Sequence, residues 1–210
     1  MKVLYSSRII PFFLFLVICS LEGFTQATLT PAQQRAALMK KNESKLIYPF
    51  IKGSYMTGVM PVPDVTFPIT AGKTYKLVFD FAYGTPDIYG QGLVNPGLEE
   101  ICRILNLHSA AGIEDKNLEV YIIFHGAGVW TFLGEEAYRE RFGKDNANIS
   151  LVKALQQKGV KLVVCGQTLQ LRELDRTKLL PGIAVAFSAR STLSTLQQQG
   201  YVLFPVTTMD

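Results

Sequence analysis

The chain has 210 residues, of which 48% are hydrophobic and 18% charged, with a formal net charge of +4. This composition is typical of one globular domain that buries a core without disulfide staples. The charge is small and no run of Lys or Arg is interleaved with aromatic residues, which argues against a nucleic-acid-binding surface.

Residues 1–27 predict a secretory signal peptide. Lys2 and Arg8 precede an apolar stretch from Ile9 to Leu21, and Thr25-Gln26-Ala27 is a small-x-small pattern typical of a cleavage site. The apolar stretch is shorter than the roughly 20 residues that a membrane-spanning helix needs. We therefore expect cleavage near Ala27 and a periplasmic or secreted protein without a membrane span.

Residues 28–72 predict an irregular N-terminal arm. Thr30-Pro31 can begin a short helix that continues through Lys41. After it, prolines and glycines interrupt any regular spacing of apolar residues that would indicate a helix or a strand. We expect the arm to lie across the domain surface, because its aromatic side chains would be costly to leave in water. Docking of the arm onto a partner is the alternative. These aromatic residues are Tyr48, Phe50, Tyr55 and Phe67.

Residues 73–210 predict an α/β domain. Short apolar runs alternate with helical segments, which is the pattern of βαβ units. Most runs are continuously apolar, so we expect a five-stranded, mainly parallel sheet with helices on both faces, a three-layer α/β/α fold. The predicted strands are Tyr75 to Phe79, Val120 to Phe124, Val160 to Val164, Ile183 to Phe187 and Tyr201 to Phe204.

Capping residues and glycines mark the helices between these strands. Asn95 can cap the first helix and Pro96 suits its first position. Cys102 shares an apolar face of this helix, so we expect it to be buried and free. His108, near the helix end, is expected to bind terminal carbonyl groups. Later helices are predicted from about Gly134 to Phe142, from an Asn148 cap to Lys158, from Leu169 to Leu174 and from Thr192 to Gln199.

Polar residues follow four of the strands. Ligands of open parallel sheets bind beyond the carboxyl ends of the strands, where helix N-termini point inward. The sequence therefore predicts one polar edge that carries any chemistry. Its candidate residues are Asp80 after the first strand, His125 and Gly126 after the second, Cys165, Gly166 and Gln167 after the third, and Ser188 and Arg190 after the fourth.

Cys165 is the leading catalytic candidate. Its thiol precedes Gly166, which leaves space over the sulfur, and a helix predicted to begin near Thr168. Backbone N–H groups and a helix dipole at such a position lower a thiol pKa. A small buried hydrophobe is the alternative interpretation.

His125 and the other polar residues allow two interpretations each. His125 can polarise Cys165 or hold a substrate anion if the two strands are neighbours, or it can bind the adjacent glycine loop structurally. Gln167 and Arg190 can bind an anion such as a sulfur oxyacid, or they can be ordinary loop-end residues.

Neither a nucleotide cofactor nor a metal is expected. Gly126-Ala127-Gly128 opens like a dinucleotide loop, but Thr131 stands at the third glycine position and no acidic residue follows at the right distance. One cysteine and one histidine at the edge are fewer than the three or four ligands of a zinc site.

Several short segments together resemble the DsrE family in its exported bacterial form, over about residues 73 to 204. One departure is Asn146-Ala147-Asn148, where Asn-Pro-Asn is expected. The segments are Ile123-Phe124-His125-Gly126, Val164-Cys165-Gly166-Gln167, Tyr75 to Asp80, Asn95 to Leu98, Asp145 to Asn148 and Gly200-Tyr201.

The resemblance implies a three-layer sheet, oligomers, and, in cytosolic members, a cysteine that carries sulfur as a persulfide between relay partners. That position matches Cys165. We therefore expect a homo-oligomer, a trimer or hexamer, that transfers sulfur from a donor to an acceptor protein. The alternative is a non-enzymatic oligomeric protein that binds a small sulfur compound or a protein partner. Thiol–disulfide exchange is disfavoured because Cys165 has no Cys-x-x-Cys partner.

Overall fold

The computed structural model describes residues 29–67, 69–70, 72–84, 89 and 91–206. The predicted signal peptide lies outside the described residues. Within them, no helix combines the length and apolar character that crossing a membrane requires.

A five-stranded parallel sheet with the order β4-β3-β2-β1-β5 forms the centre of the fold. Helices flank it, so the predicted three-layer α/β/α fold is confirmed, and every strand pairing is parallel. The predicted strand bounds were off by up to two residues at each end. The strands are β1 Tyr75–Phe81, β2 Leu118–Phe124, β3 Lys161–Cys165, β4 Ala184–Ala186 and β5 Val202–Val206.

The helices follow the predicted order, but two of them begin three residues earlier than predicted from the spacing of their apolar residues. Helix α5 begins directly after Cys165 and α6 directly after Ser188, so these residues occupy the N-cap positions. The prediction was wrong there because a helix start depends on backbone geometry that apolar period does not record. The helices are α1 Pro31–Lys41, α2 Pro96–Ala110, α3 Glu135–Phe142, α4 Ile149–Gln157, α5 Gly166–Leu171 and α6 Ala189–Gln198.

The two faces of the sheet bury different amounts of apolar surface. Alternate strand residues point to opposite faces, and one face forms a large core with α2, α3, α4 and α5. The other face forms a smaller core beneath α6, in which Val78, Ile123, Val163 and Cys165 lie together with Leu193. The Cys165 side chain therefore lies on the face that α6 covers.

Hydrogen bonds of buried asparagines connect the loops beside the larger core. Asn95 caps α2 by accepting the Gly97 N–H at 2.8 Å, and its amide donates to Thr131 Oγ1 at 2.9 Å. Asn148 precedes α4 as predicted, but its side chain makes no cap. It accepts the Asn95 N–H at 2.7 Å instead and donates to Asn146 Oδ1 at 2.8 Å. Two of the segments that carry the family resemblance are therefore bonded to each other.

Part of the N-terminal segment packs into the larger core. Phe50 and Ile51 are buried there, and their N–H groups donate to Asn106 Oδ1 at 2.8 and 3.0 Å. The Asn106 amide donates to the Ile51 and Thr57 carbonyl oxygens, both at 2.8 Å. Asn106 thus fixes this segment to α2, whereas Phe67 is 86% exposed.

Candidate functional site at the strand ends

The strand order brings four of the predicted residues onto consecutive strands. The strands β4, β3, β2 and β1 are neighbours in that order. Cys165 is the last residue of β3 and Asp80 the last but one of β1, while Ser188 and His125 follow β4 and β2. Adjacent strands are about 4.8 Å apart. Phe124 pairs with Val164, so His125 and Cys165 each come directly after a paired position. The strands β2 and β3 are therefore neighbours, as a joint role of His125 and Cys165 requires.

Cys165 ends β3 and caps α5, and 5% of its surface is exposed. It is a free cysteine, as is Cys102. A Cβ atom on the following Gly166 would lie 2.7 Å from the Ala186 carbonyl oxygen of β4. Glycine is therefore needed here because the β4 backbone approaches closely, which is a different reason from the space over the sulfur that the sequence suggested.

Two opposing effects act on the pKa of the Cys165 thiol. Burial raises its pKa, but hydrogen bonding by the Thr168 hydroxyl and by the backbone N–H groups of Ala189, Thr168 and Gln167 outweighs burial, so that the pKa is lowered overall. These donors lie at the first turns of α5 and α6. The thiolate is thus stabilised without a cationic side chain, and His125 is not among the groups that lower this pKa.

Thr168 is a site residue that sequence reasoning missed. Its Oγ1 accepts the Gly126 N–H at 3.1 Å, and its hydroxyl helps to lower the pKa of Cys165. It therefore joins the loop after β2 to the cysteine at the end of β3. In the sequence, Thr168 could have been recognised as a hydroxyl residue three positions after the N-cap residue of α5, where side chains reach back to the cap. This recognition requires the correct start of α5, which the sequence did not provide.

Asp80 and His125 form a pair at the same edge. His125 Nε2 lies 2.7 Å from Asp80 Oδ1. An ionised carboxylate only accepts hydrogen bonds, so Nε2–H donates and Nδ1 is left as the proton-accepting nitrogen. Asp80 lies within β1, which continues to Phe81, rather than after the strand as predicted. Its contact with His125 makes it a positioning residue for the imidazole.

The remaining candidates have structural contacts or lie exposed at the edge. Ser188 Oγ caps α6 by accepting the Ser191 N–H at 3.1 Å. Gly126 has a φ of 54° in the left-handed region, where glycine avoids the strain of other residues. Gln167 and Arg190 lie exposed in the first turns of α5 and α6.

Cys102 is buried and free as predicted, whereas His108 contacts a carbonyl group one turn back within α2 and not one of the terminal carbonyls that the sequence suggested. Cys102 is fully buried and free, and burial raises its pKa far above the ordinary range. His108 Nδ1 lies 2.8 Å from the Ile104 carbonyl oxygen. Neither residue belongs to the strand-end site.

The described residues contain no group of three or more His, Cys, Asp or Glu side chains that could hold a metal ion. The glycine-rich segment after β2 forms a 3-10 helix, Gly126–Phe132. Gly128 packs so closely on Phe81 that an added Cβ would lie 2.7 Å from it. This segment thus differs from a dinucleotide loop, which turns from a strand into an α-helix.

Fold and site together define a parallel α/β protein with a strand-end cysteine whose thiolate is stabilised by hydrogen-bond donors. A family model described as the DsrE/DsrF-like family matches residues 94–205. This range is more than half of the chain, and the protein belongs to that family.

No curated protein matches the chain. One similar solved structure is a protein of unknown function from Methanobacterium thermoautotrophicum, which is 19% identical with a TM-score of 0.45. The similarity covers 62% of this chain and 98% of that chain.

Proposed function

We propose that this protein is an exported sulfur carrier or sulfurtransferase that holds a persulfide on Cys165. The observation that carries the proposal is the set of donors around the thiol, namely the Thr168 hydroxyl and three backbone N–H groups, which together lower its pKa. A thiolate is the nucleophilic form of cysteine. Membership of a family linked to sulfur relay supports the same chemistry.

The transfer step needs only a donor persulfide and an acceptor thiol. The Cys165 thiolate attacks the outer, sulfane sulfur of the donor R–S–SH, a bond forms between that sulfur and Sγ, and the donor S–S bond breaks. The electron pair of the broken bond leaves with R–S⁻, which takes up a proton. An acceptor thiolate then removes the sulfane sulfur from Cys165 by the same exchange, so no external oxidant or reductant is consumed.

His125 is proposed to move the proton in this step. Asp80 holds its Nε2–H at 2.7 Å, which leaves Nδ1 to exchange a proton with the departing or incoming thiol. Gln167 and Arg190 are proposed to contact the donor or acceptor, because both are exposed in the first turns of the helices that follow β3 and β4. Gly126, Gly166 and Ser188 are proposed to shape the same edge through their backbones and the α6 cap.

A non-enzymatic binding or scaffold role is the second candidate. Only 5% of the Cys165 surface is exposed, and a buried free cysteine often serves as a small apolar side chain. In that case the donors around the sulfur would stabilise the start of α5 and α6 without supporting transfer.

Intact-mass measurement separates these two functions. The purified protein is incubated with glutathione persulfide, and wild type, Cys165→Ser and Cys102→Ser are compared. We expect one added sulfur atom on wild type and on Cys102→Ser, its loss on adding an acceptor thiol, and none on Cys165→Ser. If wild type gains no sulfur, the carrier function fails and the binding role replaces it.

Export is part of the proposal and rests on residues 1–27, which combine a basic start, an apolar stretch and a small-x-small pattern. N-terminal sequencing of the protein from the periplasm or medium should begin between Gln26 and Thr30. A periplasmic form that retains Met1 would contradict cleavage.

A further inference from the structure

A cavity of about 440 Å³ lies between α3 and the loop after α5 and contains none of the strand-end candidates. This volume falls in the usual range of small-molecule sites. Its apolar lining includes Leu133, Ala137 and Leu174. Its charged lining consists of Arg141, Arg172 and Lys178 together with Glu140, Glu173 and Asp175, and the two arginines lie beside Trp130. The cavity thus offers an apolar wall and a positively charged corner.

Both arginines lie on the ring of Trp130. The Arg141 Cζ atom is 3.6 Å and the Arg172 Cζ atom 4.9 Å from the ring centroid, and Trp130 is only 8% exposed. A guanidinium that stacks on an aromatic ring keeps the N–H donors of its edge available. Arg141 belongs to the last turn of α3, and Arg172 is the C-cap residue that follows α5. Trp130 lies in the 3-10 helix after β2, so residues of three separate elements meet at this ring.

Neither arginine pairs with a carboxylate of the described residues, in contrast to Arg35, Arg103 and Arg139. Two of the acidic residues that line the cavity, Glu140 and Asp175, contact groups other than the two arginines. Glu140 pairs with Lys178 at 3.1 Å. Asp175 Oδ1 accepts the N–H and O–H of Thr177, both at 2.8 Å. The guanidinium edges are therefore open to a ligand.

We propose that this cavity binds the carboxylate of a small organic molecule through Arg141 and Arg172. Carboxylate is the planar oxyanion that matches the two-donor edge of a guanidinium. An organic carboxylate differs from a bare inorganic anion in having an apolar part, which the lining residues Leu133 and Ala137 can contact. Both amino acids and simple carboxylic acids carry such a carboxylate. The two classes of ligand differ in the α-ammonium group of an amino acid, which Glu173 would attract.

Trp130 is the single tryptophan of the chain, so its fluorescence reports on the cavity directly. The protein is titrated with isocaproate, with leucine, which adds an α-ammonium group to the same skeleton, and with sulfate at equal ionic strength. We expect a saturable change with at least one of the two carboxylates and weaker binding of sulfate. Tighter binding of leucine, lost in Glu173→Gln, assigns the amino-acid source, and tighter binding of isocaproate assigns a plain carboxylic acid.

Arg141→Gln and Arg172→Gln should each raise the dissociation constant about tenfold or more, because each removes charged hydrogen bonds. Arg172→Lys keeps the charge but loses the planar donor pair, so it should also weaken binding. Lys153→Gln, an exposed change of the same charge on α4, is the matched control. Calorimetry repeats each measurement, since Arg141→Gln alters the surroundings of Trp130.

Three outcomes would overturn the proposal: no saturable binding of either carboxylate, unchanged affinity in Arg172→Gln, or sulfate bound as tightly as the carboxylates. None of them bears on the chemistry of Cys165.

Discussion

The two cysteines of the folded domain show that burial alone does not set reactivity. Cys102 is fully buried on α2, and burial raises its pKa. Cys165 is also buried, yet the Thr168 hydroxyl and the first N–H groups of α5 and α6 lower its pKa. The direction of the shift is decided by donors that favour the charged form, which only Cys165 has in sufficient number.

The first prediction concerns the titration of Cys165. Since its pKa is lowered, Cys165 should be half ionised at a lower pH than an ordinary cysteine. Thr168→Ala removes the largest stabilising contribution and should move the midpoint upward, whereas Thr168→Ser should retain it. The rate of alkylation by iodoacetamide against pH, in a Cys102→Ser background, gives the midpoint.

Limited access to Cys165 slows alkylation at every pH, so the midpoint and not the absolute rate is compared. Thermal melting checks that Thr168→Ala is folded, because it also removes the acceptor of the Gly126 N–H. A wild-type midpoint at or above that of an ordinary thiol would contradict the prediction, as would an unchanged midpoint in Thr168→Ala.

The second prediction separates proton transfer from thiol activation. His125 does not contribute to the lowered pKa of Cys165, so His125→Ala should leave the alkylation midpoint unchanged. It should slow persulfide transfer by about 10²-fold, a typical loss for a general acid–base residue. Asp80→Asn keeps the shape of the side chain but no longer fixes the imidazole tautomer, and should slow transfer about tenfold or more.

Stopped-flow transfer from glutathione persulfide, followed across pH, provides this measurement. An upward shift of the alkylation midpoint in His125→Ala would show instead that a cationic imidazole polarises the thiol. Unchanged transfer rates in both variants would leave the pair with a structural role only.

At the scale of elements, the buried asparagines connect the starts of α2 and α4. Asn95 caps α2 and donates to Thr131, while its own N–H is accepted by Asn148. Each of these groups is buried, and an unpaired buried polar group is costly. The family-like segments around Asn95 and Asn148 are therefore explained by structural stability.

The third prediction follows from this network. Asn95→Ala loses a helix cap and leaves buried partners without a bond, and should lower the free energy of unfolding by about 2–4 kcal/mol. The matched control is Asn117→Ala, because the Asn117 side chain makes no hydrogen bond to a described residue; it should change stability by less than about 0.5 kcal/mol. Urea denaturation of both variants measures the difference. Equal losses in the two would contradict the role of Asn95.

At the scale of the whole molecule, apolar side chains remain exposed beside the edge strand β4. Leu171 and Phe187 are more than four-fifths exposed, and Val185 of β4 itself is 43% exposed. Within the described residues β4 pairs only with β3. An unpaired edge with exposed apolar groups is typical of an interface.

The fourth prediction is that the protein forms a homo-oligomer through this edge. Light scattering should give a mass above that of the monomer, and Phe187→Glu should reduce it by placing a charge in the contact. Phe67→Glu is the matched control in the N-terminal segment, since Phe67 is 86% and Phe187 82% exposed. A monomeric wild type would contradict self-association, and dissociation by Phe67→Glu alone would assign the contact to the N-terminal arm.

Local patterns in the sequence were sufficient for the fold class, for the burial of Cys102 and for the order of the elements. Apolar runs and capping residues act over a few neighbours, so they can be read without knowing the rest of the chain. The same patterns placed His125 and Cys165 after strands. They left open whether those strands are neighbours, because strand order depends on contacts between residues far apart in sequence.

The sequence by itself therefore determined that this is a parallel α/β protein with one chemically promising strand-end cysteine. Only the tertiary structure decided that β2 and β3 are adjacent, that Asp80 contacts His125, and that Thr168 contributes to the lowered pKa of Cys165. The Trp130 cavity likewise depends on Arg141 and Arg172 meeting from two helices. Each of these contacts joins separate elements, and the packing that brings separate elements together leaves no periodic signal in either one.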